Sequence, residues 1–239
     1  MNRGELLYEG KAKKLFRTED PDVVRVVYKD DATAFDGKKK GHLPGKGEMN
    51  NRISAFFFRY LAEKGVDNHF VRRLSPTEQL VRRVRILPLE VVVRNRAAGS
   101  LAKRLGLEEG TSLPRPVVEF YYKNDELGDP LVNEDHIAVL QLASPDQLEE
   151  MKHIALRVNG LLKELMEERG VILVDFKLEF GLDREGRLLL ADEISPDTCR
   201  FWDARTEEKL DKDRFRRDLG GVVEAYREIW RRLGGEIRD

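Results

Sequence analysis

The 239-residue sequence predicts an α+β protein, on three observations. A succession of short apolar-rich runs through the first half gives a mostly antiparallel sheet. Two long stretches in the second half carry apolar residues at helical spacing. Between those two helices, Gly170 to Asp203 reads as a hairpin whose first strand alternates charged and apolar residues strictly.

Leu6 to Phe16 reads as a strand, a tight turn at Gly10 and a second strand, and Val23 to Tyr28 as a third. A small glycine loop with lysines can cover phosphates through its backbone N–H groups, and it can equally be a plain hairpin. Asp30 to Gly47 is rich in Gly, Lys and Asp without a period, so a mobile loop is expected there, with Lys38, Lys39 and Lys40 solvated. Glu48 to Lys64 has Met49, Ile53, Phe56, Phe57, Tyr60 and Leu61 at helical spacing and stops at Gly65. The runs His69 to Leu74, Gln79 to Leu87 and Glu90 to Asn95 continue the sheet.

Arg94-Asn95-Arg96-Ala97-Ala98-Gly99-Ser100 leads into a short helix, Leu101 to Leu105, with Gly106 as its stop. Ser100 is the expected N-cap, and a strand, a small-residue turn and two arginines form a ready anion site. Those arginines need an acidic partner or a ligand phosphate. Pro114 and Pro116 read as a linker, and Lys123 to Pro130 as a polar loop. Asn133 to Gln141 is a short helix. Ser144-Pro145-Asp146-Gln147 is a capping box opening a long helix with Leu148, Met151, Ala155, Val158, Leu162 and Leu165 on one face. Gly170 closes it, and His153 falls on its surface. A last helix, Asp211 to Leu233, is expected to bury Phe215, Leu219, Val222, Tyr226, Ile229 and Leu233.

In the central hairpin Asp175, Lys177 and Glu179 project to one side and Phe176, Leu178 and Phe180 to the other. Asp183 to Gly186 is the turn, and Leu188 to Ala191 returns to Asp192-Glu193. Crowded carboxylates suit a hard divalent cation such as Mg²⁺; the alternative is a solvated charged face on an edge strand. The continuation to Asp203, with more acids, Arg200 and two aromatics, favours the first.

Hydrophobic residues make up 41% and charged residues 36%, and no apolar run approaches the roughly 20 residues of a membrane span. The first residues carry no secretory pattern, and the lone Cys199 excludes an internal disulfide and fits a reducing cytoplasm. Residues 1–120 hold 24 Lys and Arg against 16 Asp and Glu, and residues 121–239 hold 19 against 28. A basic half facing an acidic half suits a polyphosphate with its metal ion between them. No Cys/His spacing suits zinc.

Four blocks, Glu9–Lys13, Val91–Ser100, Asp175–Gly181 and Asp192–Asp197, resemble those of the SAICAR synthetase family, in order and across almost the whole chain. The resemblance implies a kinase-like, ATP-grasp-like antiparallel β domain over residues 1–86 and a larger α+β domain over 87–239, with the active site in the cleft between them. It implies ATP-dependent joining of L-aspartate to carboxyaminoimidazole ribotide (CAIR), in de novo purine synthesis, by a cytoplasmic homodimer or higher homo-oligomer. Gly10, Lys11, Ala12, Lys13, Val81, Arg82, Val84 and Lys123 would meet ATP, and Glu179 and Asp192 would hold Mg²⁺. Arg94, Gly99, Ser100 and Arg200 would meet the ribotide, and Asp175 and Lys177 the reacting carboxylate. The tripeptide Phe35-Asp36-Gly37 stands where family members vary. Two other readings are open to discrimination. A kinase would share the phosphate lysine and metal carboxylates, but H-R-D and D-F-G are absent. A nucleic-acid module would use Arg72-Arg73, Arg82–Arg85 and Arg94–Arg96 as a basic stripe, against which stands the pI of ≈ 6.5. The expectation is no nucleic acid and no membrane partner.

Overall fold

A computed structural model of the chain describes residues 4–35 and 37–236; Asp36 lies outside them. Two antiparallel sheets carry the architecture. The first has the order β1-β2-β3-β7-β6, from Leu6–Glu9, Lys13–Arg17, Val23–Tyr28, Glu78–Arg82 and Phe70–Arg73 respectively. Its inner face, Val24, Val26, Tyr28 and Val81, is a small apolar cluster of its own. A separate hairpin pairs β4 (Asp31–Ala34) with β5 (Lys39–His42). This corrects the expected mobile loop. The segment is too short and polar to show a strand period, and side-chain contacts hold it: Lys39 lies 4.9 Å from the centre of the Phe215 ring and pairs with Asp218.

The second sheet runs β10-β9-β8-β11-β12, from Leu131–Val132, Ser112–Tyr122, Arg85–Arg96, Val171–Leu182 and Leu188–Ala191. The change from one sheet to the other falls between Arg82 and Arg85. β13 (Cys199–Asp203), which the sequence did not announce, pairs with Val171–Phe176 of β11, while β12 pairs with Glu179–Leu182 of the same strand. β11 therefore has β8 along one edge and two different strands along the other. Its Phe176, Leu178 and Phe180 are buried in the main core, as the alternation predicts.

β9 corrects the expected linker at Pro114 and Pro116. Proline cannot donate to a ladder, so it is tolerated where a strand lacks a neighbour. On that side β10 reaches only Phe120 and Tyr121, and the pairing with β8 is irregular between Arg94 and Arg96.

Helix α1 (Lys46–Glu63) buries Ile53, Phe57, Phe58 and Leu61 completely. Then come α2 (Gly99–Leu105), α3 (Glu134–Val139) and α4 (Pro145–Glu167), whose capping box at Ser144 and Gln147 is present and which packs on β8, β9 and β11. His153 is exposed on it, as expected. The expected last helix is broken into α5 (Asp213–Arg216) and α6 (Val222–Arg232), because Asp218, Gly220 and Gly221 all take positive φ. Leu219, expected in the core, is consequently exposed. Among the described residues no helix is long and apolar enough to cross a membrane.

The sheets are stitched together at β12. The segment before β6 bridges it in parallel at Asn68 and Leu190, with the His69 amide donating to the Leu190 carbonyl at 2.9 Å. They also touch where Val84 crosses Gly181: a Cβ on Gly181 would lie 2.6 Å from Val84 Cγ2 and 3.2 Å from the Arg85 carbonyl oxygen. Gly181→Ala is expected to destabilise the fold by about 1–3 kcal/mol, read from urea unfolding. An unchanged midpoint would mean that this contact gives way freely.

Candidate active site

A cavity of ≈ 960 Å³ lies between the sheets. From the first sheet it is walled by the turn Gly10–Lys13 and by Val24, Val26 and Val81, and at the crossover by Arg82, Arg83 and Val84. From the second come the half-buried residues of β8, whose alternate positions Leu87, Leu89, Val91 and Val93 are core. The strict alternation of β11 turns Asp175, Lys177 and Glu179 into the same space.

At the Glu179 end the charges form a lysine and carboxylate cluster. Glu179 is 3% exposed; its Oε1 accepts from Lys177 Nζ at 2.7 Å and its Oε2 from Lys123 Nζ at 2.5 Å. Lys177 also donates to Glu90 at 2.8 Å. Asp192 follows β12 with φ 58, a left-handed conformation that turns its carboxylate back into the cavity. Lys13, at the start of β2, donates to Asp192 and lies 2.9 Å from Glu193 Oε1, so one ammonium ties the first sheet to the second. Burial opposes the charges on Lys13 and Lys177, but their carboxylate partners overcome it and hold both ammoniums well above the usual lysine range. Burial likewise opposes the Asp192 charge, and Lys13, Lys177 and Lys123 outweigh it, holding that carboxyl below its usual range. Three ammoniums face four carboxylates here.

At the Asp175 end the chemistry is guanidinium and carboxylate. Pairing places Arg94 of β8 on one side of Asp175 and Arg200 of β13 on the other. Arg94 Nη1 donates to Asp175 Oδ2 at 2.9 Å, and Arg200 Nη1 reaches both oxygens at 2.8 and 3.1 Å. Arg200 Nε donates to Asp213 at 2.9 Å. Arg94 and Arg96, read as needing an acidic partner or a ligand phosphate, both have acids, Asp175 and Glu119 for Arg94 and Glu207 for Arg96, and Arg94 is buried rather than on a solvent-facing basic stripe.

All the expected nucleotide residues, Gly10, Lys11, Ala12, Lys13, Val81, Arg82, Val84 and Lys123, lie on the cavity wall, as do Glu179, Asp192, Asp175, Lys177, Arg94 and Arg200. Gly99 and Ser100 do not line the cavity; Gly99 is half-buried and Ser100 is exposed. The N-cap of α2 is Ala98, not Ser100, whose hydroxyl instead accepts from Arg94 Nη2 at 3.0 Å. Gly99 takes φ +53, and a Cβ there would lie 2.5 Å from Arg200 Nη2. Its missing side chain is what lets that guanidinium in. Glu90 and Asp213 escaped sequence reading because only strand pairing and ion pairing bring them to the site, whereas Glu193 stands among the carboxylates the hairpin was expected to crowd together.

Among the described residues no three His, Cys, Asp or Glu side chains are arranged to enclose a metal. Two carboxylates, Glu179 and Asp192, at one end of an open cavity nevertheless fit Mg²⁺, which is held by one or two carboxylates while phosphates and water supply the rest.

An apolar strand face and a glycine turn with lysines, set over paired acids, define an ATP-using enzyme of the kinase-like, ATP-grasp-like class. The chain belongs to the SAICAR synthetase family, whose model matches residues 6–233. It is 65% identical to the phosphoribosylaminoimidazole-succinocarboxamide synthase of Brevibacillus brevis over 99% of both chains. The solved synthase of Ehrlichia chaffeensis superposes with a TM-score of 0.95 at 48% identity, covering 98% of this chain and 100% of that one. A solved SAICAR synthetase in complex with ADP superposes equally well, TM-score 0.95 at 53% identity, with the same coverage.

Lys13→Met is expected to leave Asp192 and Glu193 without their shared cation, at a cost of roughly 3 kcal/mol. Asp192 has a depressed folded-state pKa, so its stabilising contribution is present above the usual carboxylate range near 4 and is lost as pH falls through the folded value. The loss in Lys13→Met should therefore be larger at about pH 7 than at about pH 3 in thermal unfolding. An equal loss at both would show that Lys13 acts by packing alone.

Proposed function

We propose that this chain ligates L-aspartate to the carboxylate of CAIR at the expense of ATP, giving SAICAR, ADP and phosphate, through an acyl phosphate. The observation that carries this reading is the pair of unlike charge clusters on one face of β11. Asp175 and Glu179 are four residues apart, about 13 Å along a strand at ~3.3 Å per residue. A ribotide phosphate against Arg94 and Arg200 and a polyphosphate against Lys13 and Lys123 therefore leave the acceptor carboxylate near Lys177, between them. The relative solved in complex with ADP supports an adenine nucleotide as one of the ligands. Buried Cys199 and the reaction's place in purine synthesis support a cytoplasmic enzyme.

A carboxylate is a poor acyl donor because its leaving group would be oxide. In the reading proposed, a CAIR carboxylate oxygen attacks the γ-phosphorus and ADP departs. The aspartate amine then attacks the acyl carbon, loses a proton, and phosphate leaves with the former carboxylate oxygen. Lys177, held between Glu90 and Glu179, offers a fixed ammonium where negative charge gathers in both steps. Glu179 and Asp192 would hold Mg²⁺, which supplies countercharge to the phosphates. Asp175, with both oxygens taken by guanidinium N–H groups, orients the two arginines.

Glu179→Gln and Asp192→Asn are each expected to abolish turnover and to remove the Mg²⁺ dependence of ATP binding, measured by titration calorimetry with and without the metal. Turnover at the wild-type rate in either variant would remove the metal assignment.

A coupled ADP-release assay with CAIR or aspartate omitted in turn tests the overall reaction. With CAIR labelled by ¹⁸O in its carboxylate, one labelled oxygen should appear in inorganic phosphate, and Lys177→Ala should lower kcat with little change in either substrate's KM. Unlabelled phosphate would rule out carboxylate activation.

A further inference from the structure

Arg94 makes unusually full use of its donors. Besides Asp175 and Ser100, its Nε donates to Glu119 Oε2 at 2.6 Å and its Nη2 to the Tyr121 hydroxyl at 3.0 Å. A guanidinium has five N–H donors, so one, on Nη1, remains for the cavity. Arg200 commits Nε and part of Nη1, and both Nη2 hydrogens have no acceptor among the described residues.

Behind Arg94, Glu119 of β9 is a carboxylate with a 9% exposed side chain that does not reach the cavity wall. Its Oε2 accepts from Arg94 Nε and, at 2.9 Å, from the Tyr121 hydroxyl, while its Oε1 pairs with Arg104. Arg104 also donates to the Tyr121 hydroxyl at 3.4 Å. The charges explain why a carboxylate is needed there. A buried guanidinium keeps its charge and requires a countercharge. Asp175 divides its own between Arg94 and Arg200, and Asp213 serves Arg200, Arg216 and Arg217. Glu119 is thus the acid that faces Arg94 and not Arg200.

Resting on the placement of a ribotide phosphate at Arg94 and Arg200, we propose that Glu119 is a positioning residue for the ribotide site: it fixes the plane of the Arg94 guanidinium and leaves Asp175 free to hold Arg200. Without its charge, Asp175 is drawn toward Arg94 and the pair loses its spacing. Binding of the sugar phosphate then weakens, while the nucleotide end, at Lys13 and Lys123, is untouched.

The test is the ADP-release assay with CAIR, ATP and aspartate varied in turn, on wild type, Glu119→Gln, Glu119→Asp and the double variant with Arg94→Lys. Glu119→Gln keeps the shape and removes the charge. It should raise the KM for CAIR about 10-fold, the loss of one charge-assisted hydrogen bond, and leave kcat and the KM for ATP within about twofold. Glu119→Asp should recover most of the CAIR affinity, and against Arg94→Lys, which has no Nε–H to hold, Glu119→Gln should add less than about twofold. A Glu119→Gln enzyme equal to wild type, CAIR and ATP constants rising together, or a full-sized effect in the Arg94→Lys background would each overturn the role. If Glu119→Gln fails to fold, Glu119→Asp carries the test: its KM for CAIR should keep a residual rise of about threefold, the part the shorter carboxylate does not recover, with its KM for ATP unchanged, and any other pattern overturns the role. No CAIR-dependent ADP release by wild type would defeat the enzymatic reading itself, whereas an active wild type with an unaltered Glu119→Gln defeats only the assignment of Glu119.

Discussion

Everything in the cleft depends on one strand having its charged face buried. Asp175 and Glu179 are each 3% exposed, and a carboxylate so far from water is tolerable only with cations and hydrogen-bond donors on it. β11 meets that requirement because it is central. β8 brings Arg94 and Glu90 to one edge, β13 brings Arg200 to half of the other, and β12 brings Asp192 to the remaining half. The cations that satisfy the acids are then in position to meet phosphates. In the function proposed, the countercharges that the buried acids require are the same side chains that would bind phosphate.

The second constraint is closure across the sheets. Lys13 leaves the first sheet to lie between Asp192 and Glu193 of the second, and Lys11, in the glycine turn, pairs with Asp125 beyond β9 at 2.8 Å. Gly181 lets Val84 and the Arg85 carbonyl approach on the far side. Charge thus ties the walls of the cavity together on one side and close backbone packing on the other. Such an arrangement suits a polyphosphate, whose entry exchanges lysine and carboxylate pairs for lysine and phosphate pairs.

Period-two alternation in β11, the capping box of α4 and the turn at Gly10 were legible because each is a local pattern that a few consecutive residues complete. The β4–β5 hairpin was not. Its residues carry no apolar period, and its hold comes from Phe215 and Asp218 far along the chain. The prolines of β9 read as a linker because the sequence does not reveal which edge of a strand lacks a neighbour. Ser100 read as a helix cap because its hydroxyl suits that role, and only the approach of Arg94 shows where the hydroxyl is used. The break between α5 and α6 could have been suspected from Gly220-Gly221, but the positive φ of Asp218 has no such local signal.

By itself the sequence determined which stretches supply the charged wall of the cleft: the glycine and lysine turn, Arg94 before α2, the alternating Asp175, Lys177 and Glu179, and the acids after β12. Those are short-range facts of side-chain type and strand period. Tertiary structure alone decided how they are paired. It set Arg94 and Arg200 on opposite sides of one aspartate, paired Glu90 with Lys177 and Glu119 with Arg94, and turned the Ser100 hydroxyl to Arg94. The physical reason is that a side chain's partner across a sheet is chosen by register, and register depends on how β8, β11, β12 and β13 pack together, not on any one of them.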